Sequence, residues 1–437
     1  MTDKSSSTLA RETSMAGNDV EEKGRAAAQK SLDQVTLIDP DVIECPYHTY
    51  KKLREEAPVY KDPVAGFYIV SCYNDIMKVI KDTATFSSNV AEAVFPPGER
   101  NRAEEFGGYP SVPALITADP PKHKYYRNPI NKVFSAARVE QMEPYIEQIT
   151  HALIDDFIKD GYCEFVAQYT IPMPLMIIAD QLGVPREDLP LFKEFSDALT
   201  TQVSGVANRE QRIWAAKKNV EFQKYFVKVI EEKRVNPTDD IITDLINAQM
   251  ENGEPMSVPE LLSVLNILLA AGNETTTNSI SKGILLLIQN PDQMKLVLDD
   301  LSLVENLTEE VLRFDGPVQG LMRVATRDAE IAGASIPKGS VIMLRYASAN
   351  RDEQHFPGSE AFDIRRKNAA THLAFGQGIH FCLGAMLARK EMNVTFRAVL
   401  TRMKNLRLAP GYPEPHHEPS IVLRGLKELH LAFDPAP

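Results

Sequence analysis

Apolar residues recur three and four positions apart along most of the chain, the spacing of helix faces that pack on a core. Tyr47, Tyr50 and Leu53 keep this spacing over residues 46–56, with Pro46 at the first turn. Further helices are predicted over residues 73–80, 136–159, 187–200 and 208–234. Strand signals are few and mostly late: FYIVS at 67–71, then β-like runs at 329–332 and 340–346. The capping box Ser257-x-x-Glu260, with Pro259 in the first turn, opens a helix that can run to Asn290, where Pro291 punctuates it. That is about 33 residues, or roughly 50 Å at 1.5 Å per residue, enough to cross a whole domain. A short helix ends near Phe314, and a final one runs to about 402 behind a glycine-rich loop at 376–384. Residues 87–118 carry Pro, Gly and Ala with little periodicity and are expected to form a long loop of functional kind. No repeat or linker divides the chain. The reading is mostly α with small β-sheets, as a loose N-terminal tail over 1–35 and a single domain over 36–437.

Composition narrows the classes without naming one. Hydrophobic residues are 43% and charged residues 25% of the 437, ordinary for a globular protein and against wholesale disorder. Lys+Arg 48 against Asp+Glu 60 leaves −12, which argues against a nucleic-acid partner. The most apolar stretch, residues 261–271, contains Ser263 and Asn266 and falls short of the ~18 apolar residues of a membrane span. Four cysteines, at 45, 72, 163 and 382, are too few and too scattered for a disulfide framework, so a soluble protein of the cytoplasm is expected.

The strongest chemical signal is Phe375-Gly376-Gln377-Gly378-Ile379-His380-Phe381-Cys382-Leu383-Gly384. Cys382 stands in a glycine-rich turn just before a helix, where free backbone N–H groups stabilise a thiolate. Glycines let the backbone approach a flat ligand, and Phe375 can shield the sulfur from water. A thiolate on haem iron donates the electron density that favours O–O cleavage. A buried structural cysteine is the plainer alternative, and a zinc site from His372, His380 and Cys382 lacks paired C-x-x-C spacing.

A second signal interrupts the long helix, whose middle reads Ala271-Gly272-Asn273-Glu274-Thr275-Thr276-Thr277-Asn278. Gly and Thr are poor helix formers. Thr275 could simply bond back to the Ala271 carbonyl. An acid, an alcohol and a glycine together also suggest a local distortion able to hold a small polar ligand.

Together these motifs resemble the cytochrome P-450 superfamily, the haem-thiolate monooxygenases, and most resemble its soluble bacterial, camphor-hydroxylase-like branch. The resemblance runs from about residue 40 to the C-terminus. It implies the cytochrome P-450 fold, with haem b (iron protoporphyrin IX) between the 258–290 helix and the cysteine loop. Cys382 would ligate the iron, and Ala271, Gly272, Ala374, Phe375, Gly376 and Gly384 would line the haem. The segment D-P-P-x-H-x-x-x-R at Asp119–Arg127 would supply His123 and Arg127 to the haem propionates, joined by Arg323 and His380. Thr275 would hydrogen-bond dioxygen and Glu274 would relay protons. Glu310, Arg313 and Arg366 would be structural, in the family's E-x-x-R and F-D-x-x-R settings.

The same resemblance implies hydroxylation of an apolar small molecule, a terpenoid, steroid, fatty acid or aromatic, with O2 and two electrons. Ile267, Ala270, Val318 and Gln319 would lie near the substrate. The 87–118 loop, with Phe95 and Phe106, and the 201–211 connection would gate entry. No flavin or nicotinamide domain follows the haem domain, so a separate ferredoxin and ferredoxin reductase are expected to serve a monomer. Residues 120–138 hold Lys122, Lys124, Arg127, Lys132 and Arg138 and no acid, and Arg389 and Lys390 could extend that patch toward an acidic ferredoxin. A peroxide-driven peroxygenase and a non-catalytic haem carrier or sensor are the alternatives.

Overall fold

The computed structural model describes residues 20–90, 93, 102–248 and 253–435. Helices dominate. The capping box at Ser257 starts the long helix Val258–Gln289, which runs unbroken for 32 residues. Around it pack the helices Pro172–Leu182, Leu189–Val203, Arg209–Val235, Val304–Asp315 and Ala385–Arg402. The helix Pro172–Leu182 escaped the sequence reading because it is apolar on nearly every side. Without a polar face there is no 3.6-residue period to detect.

Strands are not confined to the end of the chain. Val59–Lys61 (β1), Tyr68–Val70 (β2) and Phe86–Ser87 (β3) join Leu321–Ala325 (β5) and Val341–Leu344 (β8) in one sheet, ordered β1-β2-β8-β5-β3. β2 and β8 are parallel, and the other neighbours are antiparallel. This sheet carries Arg323 at the centre of β5, opposite Ile342. Tyr162–Glu164 (β4), His430–Pro435 (β10) and Met403–Leu408 (β9) form a second sheet, and Ala329–Ile331 (β6) pairs with Ala334–Ile336 (β7).

The loose tail expected over residues 1–35 needs correction in its second half. Residues 20–29 are helical, and Ala27 and Val35 are buried. Lys52 Nζ donates to the carbonyls of Ala28 (3.0 Å) and Lys30 (2.6 Å), and Tyr60 OH donates to Val35 O at 2.7 Å. The single alanine run at 26–28 carries little hydrophobic signal in a sequence, yet it lets this helix lie close to the body. Residues 1–19 lie outside the described residues. Within the 87–118 stretch, residues 102–105 form one helical turn and Leu115–Thr117 a 3₁₀ turn. Phe95 lies outside the described residues, and Phe106 is exposed.

A buried ion cluster locks the region below the cysteine loop. Arg313 donates twice to Glu310, Nε to Oε2 and Nη2 to Oε1, both at 2.7 Å. Arg366 Nε reaches Glu310 Oε1 at 3.2 Å, and Asp363 N donates to the same oxygen at 2.9 Å. The remaining guanidinium protons meet the carbonyls of Asn350, Ser359 and Ala361 from Arg313, and of Pro357, Gly358 and Ala361 from Arg366. The Glu310 and Arg313 side chains have no exposed surface. Removing one partner strands a buried charge, at a cost of about 3–5 kcal/mol. Glu310→Ala and Arg313→Ala should each lower the thermal unfolding midpoint by several degrees. Exposed-pair controls such as Lys295→Ala should not.

Candidate active site

The cysteine loop folds back on itself before the helix Ala385–Arg402. Gly376 (φ 65°) and Gly378 (φ 70°) take left-handed backbone that a side chain would strain. The reversal lets Cys382 N donate to Phe375 O at 2.9 Å, and the Gly384 N–H donates to the Cys382 sulfur. Burial pushes the thiol up, whereas that N–H and the Arg127 and Arg389 guanidiniums favour the thiolate. Behind the loop Arg389 stacks 4.5 Å over the Phe375 ring and grips Glu309 with two bonds, at 2.6 and 3.0 Å. His372 Nε2 comes within 3.3 Å of the same carboxylate. Burial alone would raise Glu309, but His372 and Arg389 outweigh it and hold the carboxyl at about 2. This Glu309–Arg389–His372 clamp was not read from the sequence, although the doubled acid Glu309-Glu310 offered the signal.

Four cationic or cationisable groups converge on one side of the loop. The His123 and His380 rings lie 4.5 Å apart, and Arg127 Nη2 donates to Phe381 O at 2.8 Å. Arg323 donates to Met322 O and to the Tyr346 hydroxyl. Burial, then the charges of Arg323, His123 and Arg127, push His380 down to about 3. The nearby Asp119 is engaged by Ser87 Oγ and by Ser88 N, and Ser88 Oγ meets His380 Nε2 at 3.0 Å. The cluster thus holds more positive charge than its own acids balance.

On the long helix the expected local distortion is absent. Thr275 Oγ1 donates to Ala271 O at 2.8 Å, the back-bond that keeps the helix continuous. Ala271 and Gly272 are exposed in the middle of a helix that is buried on either side of them. Glu274 turns toward the helix Leu189–Val203, a contact between segments some 80 positions apart that no motif signals. Ser196 Oγ donates to Glu274 Oε1 at 3.3 Å, and Lys193 Nζ lies 3.7 Å away and also pairs with Asp197. Burial raises the Glu274 carboxyl, and Lys193 offsets part of that rise. Asn273 Nδ2 donates to Ser196 Oγ at 3.4 Å, while its buried Oδ1 has no partner among the described residues.

Among the substrate candidates, Ile267 is half-buried, Ala270 is buried, and Val318 bridges to Leu423 through the backbone. Gln319 requires correction. Its side chain is buried, donates to Gly316 O at 3.0 Å and accepts from Tyr50 OH at 3.1 Å. With each end of the amide bonded to the fold and the side chain buried, Gln319 ties Tyr50 to Gly316 and is placed as a packing residue. The zinc alternative also fails, because His372 faces Glu309 while His380 faces His123 and Ser88. The basic patch is smaller than expected. Arg389 is held by Glu309, Lys390 by Glu140 and Glu143, and Arg138 by Asp244. Lys122 and Lys124 are exposed, and the Lys132 side chain lies outside the described residues.

A haem is a flat apolar ring with two carboxylates and an iron that takes a thiolate. The residues fit such a group. The under-balanced cluster of Arg127, Arg323, His123 and His380 suits two carboxylates. Ala271 and Gly272 give a wall with little side chain, and an added Cβ at Gly384 would meet nothing within 4 Å. Comparisons with known proteins agree. The cytochrome P450 family model matches residues 210–429. A putative cytochrome P450, YjiB, of Bacillus subtilis is 35% identical over 88% of this chain and 93% of its own length. The vitamin D(3) 25-hydroxylase of Pseudonocardia autotrophica is 33% identical over 94% of this chain and 99% of its own. The solved structure of CYP109E1 from Bacillus megaterium in complex with testosterone superposes with a TM-score of 0.81 at 34% identity, over 90% of this chain and 98% of that one. The chain therefore belongs to the cytochrome P450 family, as an oxidoreductase of the monooxygenase kind.

Proposed function

We infer that this P450 hydroxylates an apolar small organic molecule, using haem b held by Cys382 and electrons from a separate ferredoxin. The observation that carries the reading is the pairing of a backbone-stabilised Cys382 sulfur with the adjoining cluster of Arg127, Arg323, His123 and His380. Haem, when bound, supplies the redox centre at which dioxygen is activated. Cys382 would be its thiolate ligand, and Arg127, Arg323, His123 and His380 would hold its carboxylates. Thr275 holds a hydroxyl proton at Oγ1; it donates this proton to the Ala271 carbonyl at 2.8 Å and would have to turn from that carbonyl to serve dioxygen. Glu274 carries protons inward from Lys193 and from Asp197, whose side chain reaches solvent. Ile267, Ala270 and Val318 supply apolar lining. Phe375 and the Arg389–Glu309 clamp exclude water from the sulfur. Steroids are the first substrate class to test, since the relatives named above act on vitamin D(3) or bind testosterone. All four cysteines are free, in keeping with a reducing cytoplasm.

Four outcomes test this reading. Arg127→Gln and Arg323→Gln each remove a charge-assisted bond of about 1.5–3 kcal/mol to a carboxylate, so haem should dissociate roughly tenfold faster or more, measured by transfer to an acceptor globin. Cys382→His should lose the carbon monoxide spectrum of thiolate-ligated haem. Thr275→Ala should keep that spectrum while releasing peroxide in place of hydroxylated product. A Thr275→Ala enzyme with unchanged coupling would leave that residue a helix-packing role only. For the donor, Lys124→Glu should slow reduction by an acidic ferredoxin and make it less salt-dependent, with substrate affinity unchanged.

A further inference from the structure

The corner between the helices Pro40–Glu44 and Tyr47–Glu56 brings together three metal-ligating side chains that the haem chemistry does not use. Cys45 ends the first helix, and His48 stands in the first turn of the second. Across them lies the helix of residues 20–29, which presents Glu21. His48 Nε2 and Glu21 Oε2 are 2.7 Å apart, and these atoms and Cys45 Sγ all lie within 4.8 Å of one another. Gly24 permits this approach. A Cβ at that position would stand 2.7 Å from Cys45 Cβ and 2.8 Å from its sulfur.

We propose that Glu21, Cys45 and His48 form a site for a zinc-like divalent ion that staples the 20–29 helix to the body of the protein. The donor set is one thiolate, one imidazole and one carboxylate, with Glu21 and His48 partly open to solvent so that water can complete a tetrahedron. Zinc–sulfur and zinc–nitrogen bonds of about 2.3 and 2.0 Å set ligand atoms roughly 3.5 Å apart, so closure requires a movement of about 1 Å. Cys45 Sγ is buried and makes no hydrogen bond among the described residues, so the one bond that metal binding replaces is that between His48 Nε2 and Glu21 Oε2. Binding exchanges the thiol proton for the metal, and the thiolate and carboxylate together balance a dication. Arg424 and Arg351 act against it through space, but Arg424 is paired with Asp315 and Arg351 with Glu360, and Glu44 adds negative charge beside them. The helix so fastened otherwise rests on small side chains and a few lysine contacts, which is where a metal clip would matter most.

The test uses the full-length holoenzyme freed of zinc with a chelator, and zinc chloride as the probe. Titration calorimetry in buffers of different ionisation enthalpy should report binding of one ion per chain with release of a proton. Glu21→Gln and Cys45→Ser should each weaken binding by at least about tenfold. His416→Ala, which alters the neighbouring Glu44 contact, should leave it unchanged. Zinc should also slow proteolysis within residues 20–35 in the unaltered protein and not in Glu21→Gln. Because Glu21 is exposed, that variant remains informative if Cys45→Ser fails to fold. Absence of binding, or affinity equal in the unaltered protein, Glu21→Gln and Cys45→Ser, would overturn the proposal, as would loss of binding in His416→Ala alone.

Discussion

The long helix Val258–Gln289 must bury Asn273, Thr276, Thr277, Asn278, Ser279, Ser281 and Lys282 at the centre of the molecule, and much of the surrounding architecture answers that demand. A buried polar group without a partner costs about 1–3 kcal/mol, so each side chain needs an acceptor or donor. Thr277 Oγ1 donates to Thr170 O at 2.6 Å, which fixes the unusual turn before the helix Pro172–Leu182. Ser279 and Ser281 bond back to Thr275 O and Thr277 O. Thr276 is met by Glu391 on the helix Ala385–Arg402 that follows the Cys382 turn, and burial pushes that acid up to about 8, so it stays largely protonated at neutral pH. The helix that carries the candidate oxygen-handling residues is thereby fixed against the helix behind the sulfur.

Charge is distributed with the same economy of partners. On one side of the cysteine loop burial lowers His123 and His380, and the charges of Arg127 beside the first and of Arg323 and Arg127 beside the second lower them further, an arrangement that anionic groups would relieve. On the other side Glu309 stands between Arg389 and His372 and balances them. The sulfur therefore sits between a region short of anions and a region that is neutral. That difference, more than any single contact, separates the ligand-facing side of the loop from its structural side.

Much of this was legible in the sequence because short motifs impose their own geometry. A capping box and a proline stop fixed the limits of the long helix, glycines marked the cysteine turn, and Glu310, Arg313 and Arg366 meet as their motifs implied. Contacts between distant segments were not legible. Gln319 looked like a polar group beside the substrate, but Tyr50, some 270 positions earlier, occupies it. Lys193 beside Glu274 and Glu309 beside Arg389 depend on how helices cross, which residue spacing does not encode. The fully apolar helix Pro172–Leu182 gave no period, and the helix of residues 20–29 gave no hydrophobic stripe.

Asp315 accepts from Tyr47 OH at 2.5 Å, from Lys282 Nζ at 3.1 Å and from Arg424 Nε at 3.2 Å. Burial lowers Lys282 to about 8 even with this carboxylate beside it. The hub therefore gathers four segments spread over most of the chain. During synthesis from the N-terminus, Tyr47 leaves the ribosome long before Asp315 exists, and Asp315 waits for Arg424. At roughly 5–20 residues per second the later interval alone lasts several seconds. Until it ends, Asp315 can hold Tyr47 and Lys282 but lacks its contact with Arg424. The full set of contacts to Asp315, and with it the tie between the N-terminal helix of Tyr47 and the long helix of Lys282, is thus complete only after nearly all of the sequence has been translated.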